Sequence, residues 1–345
     1  MKALIYDQHG GPEVLQYRDV PDPEPGPRDV IINVAATTIN HLDVAQRNGW
    51  FTIPGFSLPH ISGLDVVGTV SETGSDVTRV KPGDRVLVNP SMSGVPEGSK
   101  LAGMDDLYGI LGVIGGTVAG GYAEQCLAPE THLYPIPDNM SWRHAVVFPT
   151  CWMTAHHALF ETGELKAGET VLIHAAGSGV SIAAIQWARQ AGATVLATAG
   201  SGKKCEKAVE LGAEDTCNNR TVDVATWARD MTGGEGVDLV FDHVGEALWE
   251  ASLAALKPRG RLVTCGNTSG NSALIPNLGY LFNMGLKILG SDPFRYDEFG
   301  PAWEQYCAGD FQPVVDSVFP LSEGGKAQEK LLSGEFIGKI LLEPE

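Results

Sequence analysis

Positive charge is scarce in this sequence of 345 residues, where 24 Lys and Arg stand against 42 Asp and Glu, a formal net charge of -18. Such an acidic balance argues against nucleic acid and anionic membranes as partners, because both are held by basic patches that are absent here. Cysteine is sparse too: Cys126, Cys151, Cys205, Cys217, Cys265 and Cys307 are scattered, and none forms a C-x-x-C pair. That spacing describes reduced thiols in small buried positions and excludes a disulfide framework or a metal knuckle. No run is long and apolar enough for a membrane span, and the opening MKALIYDQHG reads as a strand and a turn, not a signal peptide. A cytoplasmic location is the resulting expectation. With 42 glycines, 21 prolines and 19% charged residues, the chain reads as a loop-rich globular protein long enough for two domains.

What is present changes character along the chain. Before about residue 140, short β-patterned runs (Val30 to Val34, Asp65 to Val70, Arg85 to Val88, Tyr122 to Leu127) alternate with turn clusters such as PDPEPGPRD and KPGD. From Asp138 onward, helices and strands alternate. Helical patterns at 203–211, 222–231 and 247–256 intersperse with apolar strands at 171–173, 195–199, 237–241, 261–265 and 286–289 and a short one near Asp215. Six parallel strands with crossover helices predict a doubly wound sheet. The tail from about Phe294 ends in a strand-like run, Ile337 to Leu342, that rejoins the first domain.

The most informative stretch is VLIHAAGSGVSIAAIQWARQAGATVLATAGSGKK, residues 171–204. Val171 to Ile173 is a non-alternating apolar run, as expected of a central parallel strand. Gly177 and Gly179 interrupt it, and Val180, Ala183, Ala184, Trp187, Ala188 and Ala191 then recur at helical spacing. A helix opening at glycines offers unpaired N–H groups near Ser178, Gly179 and Val180 to a pyrophosphate. The strict G-x-G-x-x-G fingerprint is not met, since Ala175 and Ser181 take its outer positions; the strand–turn–helix–strand context carries the dinucleotide assignment. The end of the second strand selects the cofactor. An acidic residue there favours NAD, whereas this chain has Gly200, Ser201, Gly202, Lys203 and Lys204, a set suited to a 2′-phosphate and hence to NADP(H). A solvated lysine pair is the plainer alternative.

Several motifs together resemble the medium-chain dehydrogenase/reductase superfamily over essentially the whole chain: GLDVVG at 63–68, VKPGDRV at 80–86, GGYAE at 120–124, Thr154-Ala155, and LKAGETVL at 165–172. The resemblance implies a GroES-like β-rich catalytic domain at 1–140 and 295–345, a Rossmann NADP-binding domain at 141–294, and a cleft where hydride transfer occurs. It also implies a homodimer, or a tetramer, through the Leu286 to Leu289 edge strand.

The superfamily divides by metal, and this sequence departs from its zinc branch. The three positions that would supply catalytic ligands carry Asn40, Leu64 and Thr150, and Leu42 replaces the proton-relaying hydroxyl. These are not zinc donors, and no zinc is expected. The four cysteines of the structural zinc lobe fall at Gly94, Glu97, Lys100 and Tyr108; a lobe without metal would be ordered by Met92, Met104, Leu107 and Tyr108 or by a partner subunit. Cys151 with His156 or His157 is the remaining route to an adventitious metal.

Loss of zinc with NHLDVAQRNG retained at 40–49 resembles the quinone oxidoreductase and zeta-crystallin branch. That resemblance places Asn40 and Thr150 at the nicotinamide, Thr154 near the domain junction, His243, Val244 and Gly245 over the ribose, and Cys265, Gly266 and Asn267 beside the ring. His41 fits pyrophosphate contact and Asp43 loop support. Lys339 is a candidate cofactor contact or an exposed terminal lysine, and Tyr122 a packing residue. Trp50, Phe51 and Trp152 are candidate linings of an apolar pocket or plain core. The implied reaction is hydride transfer from NADPH, without zinc, to a small quinone or α,β-unsaturated carbonyl, with Asn40 the catalytic candidate. An alcohol dehydrogenase or carbonyl reductase with a relocated metal, a specialised double-bond reductase and a non-catalytic NADPH-binding protein are the alternatives.

Overall fold

The computed structural model describes residues 1–103 and 112–345; Met104, Leu107 and Tyr108 of the lobe lie outside the described residues. In chain order the strands of the first region are β1 (Lys2–Ile5), β2 (Gln16–Asp19), β3 (Asp29–Thr38), β4 (Val66–Thr73), β5 (Arg85–Val88), β6 (Gln125–Pro129) and β7 (Leu133–Pro135), with helix α1 (His41–Asn48) after β3. A helical run from α2 (Trp142–Ala145) through α3 (Met153–His156) follows. Then come β8 (Thr170–Ile173), α4 (Gly179–Gln190), β9 (Thr194–Ala199), α5 (Gly202–Glu210), β10 (Asp215–Asn218), α6 (Val224–Met231), β11 (Val237–Asp242), α7 (Trp249–Ala255), β12 (Leu256–Thr264), α8 (Leu278–Met284) and β13 (Lys287–Gly290). The chain closes with α9 (Tyr296–Ala308), β14 (Val315–Pro320), α10 (Gly324–Ser333) and β15 (Lys339–Glu343).

Two compact units result: residues 1–150, 294–310 and 315–345 form the first, and 151–293 with 311–314 the second. Residues 141–150, expected in the nucleotide domain, join the first unit because Phe148 packs edge-on against Phe299 and Trp303 of α9, at ring separations of 5.3 and 5.0 Å. Conversely, Phe311 lies 4.4 Å from the ring of Trp187 and 5.0 Å from that of Trp152, which draws a short stretch of the tail into the second unit. Such aromatic pairs bury large apolar areas and contribute about 0.5–1.5 kcal/mol each beyond that burial.

The first unit is built on a seven-stranded sheet in the order β14-β15-β3-β4-β5-β7, with β6 also pairing β3. Strand β3 is buried over almost its whole length because β4 and β6 flank it and β15 covers its end. The register Leu341↔Thr38 and Leu342↔Thr37 brings Lys339, at the start of β15, towards the segment that leaves β3 and enters α1. Part of the described lobe is tied down by Asp29, whose Oδ2 accepts from Gly26 N (3.0 Å) and Lys100 N (2.7 Å), while Met92 lies fully buried in the adjoining core.

The second unit is a six-stranded parallel sheet, order β10-β9-β8-β11-β12-β13. Helix α4 lays Ile182, Ala183, Ala184, Ile185, Trp187 and Ala188 into the core, as its periodicity predicts. The α/β fold class read from the sequence, a GroES-like unit with a doubly wound unit, holds.

Candidate active site and cofactor-binding residues

Within the first unit, the residues around Asn40 form a buried polar cluster. Asn40 ends the extended segment after β3 and precedes the first turn of α1, where its backbone N–H donates to Asp43 Oδ2 (2.7 Å). Its side chain is committed elsewhere: Nδ2 donates to Asp65 Oδ2 at 2.9 Å, and Oδ1 accepts from Lys339 Nζ at 2.7 Å. Lys339 is only 5% exposed, not the exposed terminal lysine that its position near the carboxyl end suggests. Its ammonium also donates to Ile39 O (2.9 Å) and lies 3.6 Å from Asp65 Oδ2. Asp65 is fully buried and accepts from Thr38 Oγ1 and, through Oδ1, from Thr150 N at 2.8 Å. Among the described residues the buried Thr150 hydroxyl has no hydrogen-bond partner.

Beneath this cluster Asp43 accepts from Tyr122 Oη (2.9 Å) and Gly63 N (3.2 Å). Burial pushes its carboxyl up to about 7 despite the hydrogen bonds that oppose the shift. Burial likewise drives the Tyr122 hydroxyl well above the ordinary phenol range, with the Asp43 carboxyl adding to the effect. Gly63 has φ +103°, and a Cβ there would sit 2.5 Å from Tyr122 Cδ1, so the GLDVVG motif needs glycine at its first position. Asp43 thus serves loop support, whereas His41 is exposed on the first turn of α1. Arg47 locks the far end of α1 through Nε to Gln328 Oε1 (2.7 Å) and Nη1 to Gly10 O (2.9 Å).

The positions equivalent to zinc ligands hold an amide clamped by a lysine and a carboxylate, the buried hydrocarbon Leu64, and a hydroxyl. This donor set does not fit zinc. His157 Nε2 faces Asp292 Oδ1 at 3.2 Å, His156 packs edge-on against Phe160 and Trp187, and among the described residues no group of three His, Cys, Asp or Glu could hold a metal.

In the second unit, the glycine turn keeps the backbone that its incomplete fingerprint puts in doubt. Ala175 adopts φ +51°, the left-handed conformation natural to glycine, at a cost of about 1–2 kcal/mol. Ser178 caps α4, accepting from Ser181 N (3.2 Å), and Gly179 and Val180 open the helix. Ser178 Oγ and Ser181 Oγ lie 3.2 and 2.8 Å from His243 Nε2, so the turn and the loop after β11 are joined. Burial holds His243 down to about 4, hence neutral at pH 7. Asp242 Oδ1 accepts from Val244 N (2.7 Å) and Gly245 N (3.0 Å), while Cys265 N donates to Asp242 O (3.1 Å). The Cys265–Asn267 loop packs on its neighbour so closely that a Cβ at Gly245 would lie 3.1 Å from Asn267 Cα, and one at Gly266 would lie 3.0 Å from His243 O. Burial raises the Cys265 thiol to about 12, which leaves it inert as a nucleophile. Thr154 is half-buried on α3.

Lys204 lies across Gly177, where a Cβ would meet its Cδ at 2.6 Å, so the glycine turn and α5 share a cation. Ser201 caps α5 by position, without a side-chain bond to the helix. Arg220, just past β10, brings Nε to 3.0 Å from a Cβ built on Gly200. Sequence reading missed Arg220 because it stopped at Lys204; the signal was available, since a right-handed crossover places the end of β10 beside that of β9. It also missed a buried chain under the turn: His174 bonds Thr198 Oγ1 and Ser252 Oγ, both at 2.9 Å, and Ser252 Oγ donates to Asp242 Oδ2 at 3.0 Å. Trp152, at 1% exposure, is core, whereas Trp50 and Phe51 are 70% and 51% exposed.

A GroES-like unit joined in one chain to a six-stranded parallel sheet of the dinucleotide-binding type defines the class of pyridine-nucleotide oxidoreductases. The family model described as alcohol dehydrogenase GroES-like domain matches residues 26–138, and that described as zinc-binding dehydrogenase matches 179–306. The quinone oxidoreductase of Pseudomonas aeruginosa is 32% identical over 99% of each chain. The crystal structure of an NAD-dependent alcohol dehydrogenase is similar with a TM-score of 0.92 and 37% identity, covering 100% of each chain. Escherichia coli quinone oxidoreductase in complex with NADPH is similar with a TM-score of 0.85 and 29% identity, again over 100% of each chain. The chain belongs to the medium-chain dehydrogenase/reductase superfamily, in its quinone oxidoreductase-like branch, and is an NAD(P)-dependent oxidoreductase.

Proposed function

We propose that this protein reduces a small quinone or α,β-unsaturated carbonyl with NADPH and without catalytic zinc. The observation that carries the reading is the donor set itself: Asn40, Leu64 and Thr150 stand where zinc ligands would, and Asn40 is clamped as a hydrogen-bond donor by Lys339 and Asp65. Without a Lewis acid, the acceptor must disperse negative charge through its own conjugation, as quinones and enones do.

The fit to NADPH rests on groups in place. The N–H groups opening α4 at Gly179 and Val180 suit the pyrophosphate, and Ser201, Lys204 and Arg220 suit the 2′-phosphate. The loops His243–Gly245 and Cys265–Asn267 suit the ribose and ring, and the unpartnered Thr150 hydroxyl suits the nicotinamide amide. When bound, the reduced cofactor supplies the hydride. Asn40 Nδ2 orients the acceptor oxygen and stabilises the charge that develops there. The proton comes from water or from an acid other than Tyr122, whose hydroxyl is given to Asp43 Oδ2.

A homodimer through β13 belongs to the same reading. Among the described residues this strand ends the sheet and pairs with β12, the preceding segment exposes Leu274, Leu278 and Phe282, and Leu253, Ile275 and Leu286 line a groove. Among the described residues no helix is long and apolar enough to cross a membrane.

The resemblance to an NAD-dependent alcohol dehydrogenase supports a second reading, oxidation of alcohols with NAD. One assay separates them: loss of reduced-nicotinamide absorbance with NADPH and NADH against quinones, enones, aldehydes and ketones, with and without chelator. Chelator-insensitive quinone or enone reduction with NADPH is expected. Chelator-sensitive carbonyl reduction with NADH overturns the proposal, and tight NADPH binding with no turnover assigns a non-catalytic role.

A further inference from the structure

Resting on the reading of Asn40 as the group that meets the acceptor, we infer that Lys339 is a positioning residue that sets the orientation of the Asn40 carboxamide and thereby the polarity it shows to substrate. An asparagine side chain is symmetric in shape and opposite in chemistry at its two ends, so an unclamped amide would present donor and acceptor alike. Here the choice is forced. A lysine ammonium can only donate, and its Nζ lies 2.7 Å from Asn40 Oδ1. An ionised carboxylate can only accept, and Asp65 Oδ2 lies 2.9 Å from Nδ2. The carbonyl end of the amide is therefore occupied, and Nδ2 keeps a second N–H beyond the one given to Asp65.

The setting supports a specific device over general packing. Burying an ammonium costs several kcal/mol unless it is paired and hydrogen-bonded, and an apolar side chain of similar length would fill the same space. Lys339 is nonetheless held at 5% exposure, with Ile39 O at 2.9 Å and Asp65 Oδ2 at 3.6 Å beside its ammonium. Asp65 in turn holds Thr150 N and Thr38 Oγ1, so one buried ion pair orients the two positions, Asn40 and Thr150, assigned to the nicotinamide. Its anchor is the β15–β3 pairing at Leu341↔Thr38. This differs from the cofactor contact that sequence resemblance suggests for Lys339: the side chain acts through Asn40.

The test is a set of variants assayed by single-turnover hydride transfer from NADPH to para-benzoquinone, alongside NADPH affinity from fluorescence quenching. Lys339→Met should slow hydride transfer about 10- to 100-fold with NADPH affinity unchanged within about twofold, and Asn40→Ala added to it should cost less than about twofold more. Lys339→Arg, which keeps a donor on Oδ1, should recover most of the rate. Because Lys339→Met leaves Asp65 unpaired, the neutral pair Asp65→Asn/Lys339→Met is read in its place where the single variant fails to fold. Losses that multiply between Lys339 and Asn40, an unchanged rate, or equal loss with Arg and Met would overturn the inference. A tenfold or larger fall in NADPH affinity would return Lys339 to the cofactor. A wild-type protein that reduces neither quinones nor enones would overturn the reading beneath it as well, whereas active wild type with an indifferent Lys339 would sink this inference alone.

Discussion

The two polar centres of this protein solve the same problem, holding groups in one geometry, by opposite means. Around Asn40 in the first unit, an ion pair is buried: Lys339 and Asp65 lie in the interior beside Asp43, whose carboxyl burial pushes up to about 7, and these side chains are tied to Asn40 and to backbone groups. Around the glycine turn in the second unit the buried groups are neutral. His174 and His243 are kept uncharged by burial, hydroxyls link them, and the cations Lys204 and Arg220 stay at the surface end of the sheet. On the proposed function, the difference follows from what each centre would meet. A phosphate-rich cofactor arrives with its own charge and is best met by N–H groups and solvated cations, which need little desolvation. A neutral conjugated acceptor needs one donor held rigidly, and a buried ion pair is stiff enough to hold it.

This contrast can be broken most strongly at Asp65. Asp65→Ala leaves Lys339 as an uncompensated buried charge and should lower unfolding free energy in a denaturant titration by about 3–5 kcal/mol. Loss of under about 1 kcal/mol would mean the cluster is more solvated than its burial indicates.

The charge on Asp43 should be visible as pH dependence. Its folded value, about 7, lies above its unfolded value, so its contribution to stability is fully present below about pH 4 and is lost as pH rises towards 7. Asp43→Asn should therefore flatten the decline in stability across that window, by something on the order of 3 kcal/mol. His243 carries the opposite sign. Its folded value of about 4 lies below the unfolded one, so its contribution is present above about pH 6.5 and fades as pH falls towards 4. Parallel melting curves of wild type and Asp43→Asn from pH 4 to 8 would remove Asp43 from the account.

A smaller effect tests the cation pair. Arg220→Ala should weaken NADPH by about 1.5–3 kcal/mol and leave NADH nearly unchanged, measured by titration of both cofactors. Equal weakening of the two would detach Arg220 from the 2′-phosphate. The smallest effect is at the turn itself: Ala175→Gly relieves a left-handed alanine and should raise stability by about 0.5–1 kcal/mol after the flexibility gained by the unfolded chain is counted. A melting temperature that falls would show that the alanine methyl contributes more by packing than its backbone costs.

Much of this site was legible as residue types. Ser178, Gly179 and Val180 could be placed at a helix start because a buried strand and a 3.6-residue period surround them. The absence of zinc donors at Asn40, Leu64 and Thr150 could be seen because a donor atom is either present in a side chain or it is not. The pairs were not legible. Lys339 and Asn40 stand 299 positions apart, and Arg220 reaches Gly200 across an intervening helix. Trp152 and Trp50 look equally suited to a pocket in sequence, yet one is core and the other solvent-exposed.

By itself, then, the sequence determined the local grammar: which runs are strands, where a helix opens on glycine, and which positions lack the side chains that zinc prefers. These depend on periodicity and on functional groups, both properties of neighbouring residues. Only the tertiary structure decided the state of each polar group. Whether Lys339 is solvated or buried, whether Asp43 holds its proton near neutrality, and which way the Asn40 amide faces all depend on desolvation and on partners that β15, β3 and α1 bring together from distant parts of the chain.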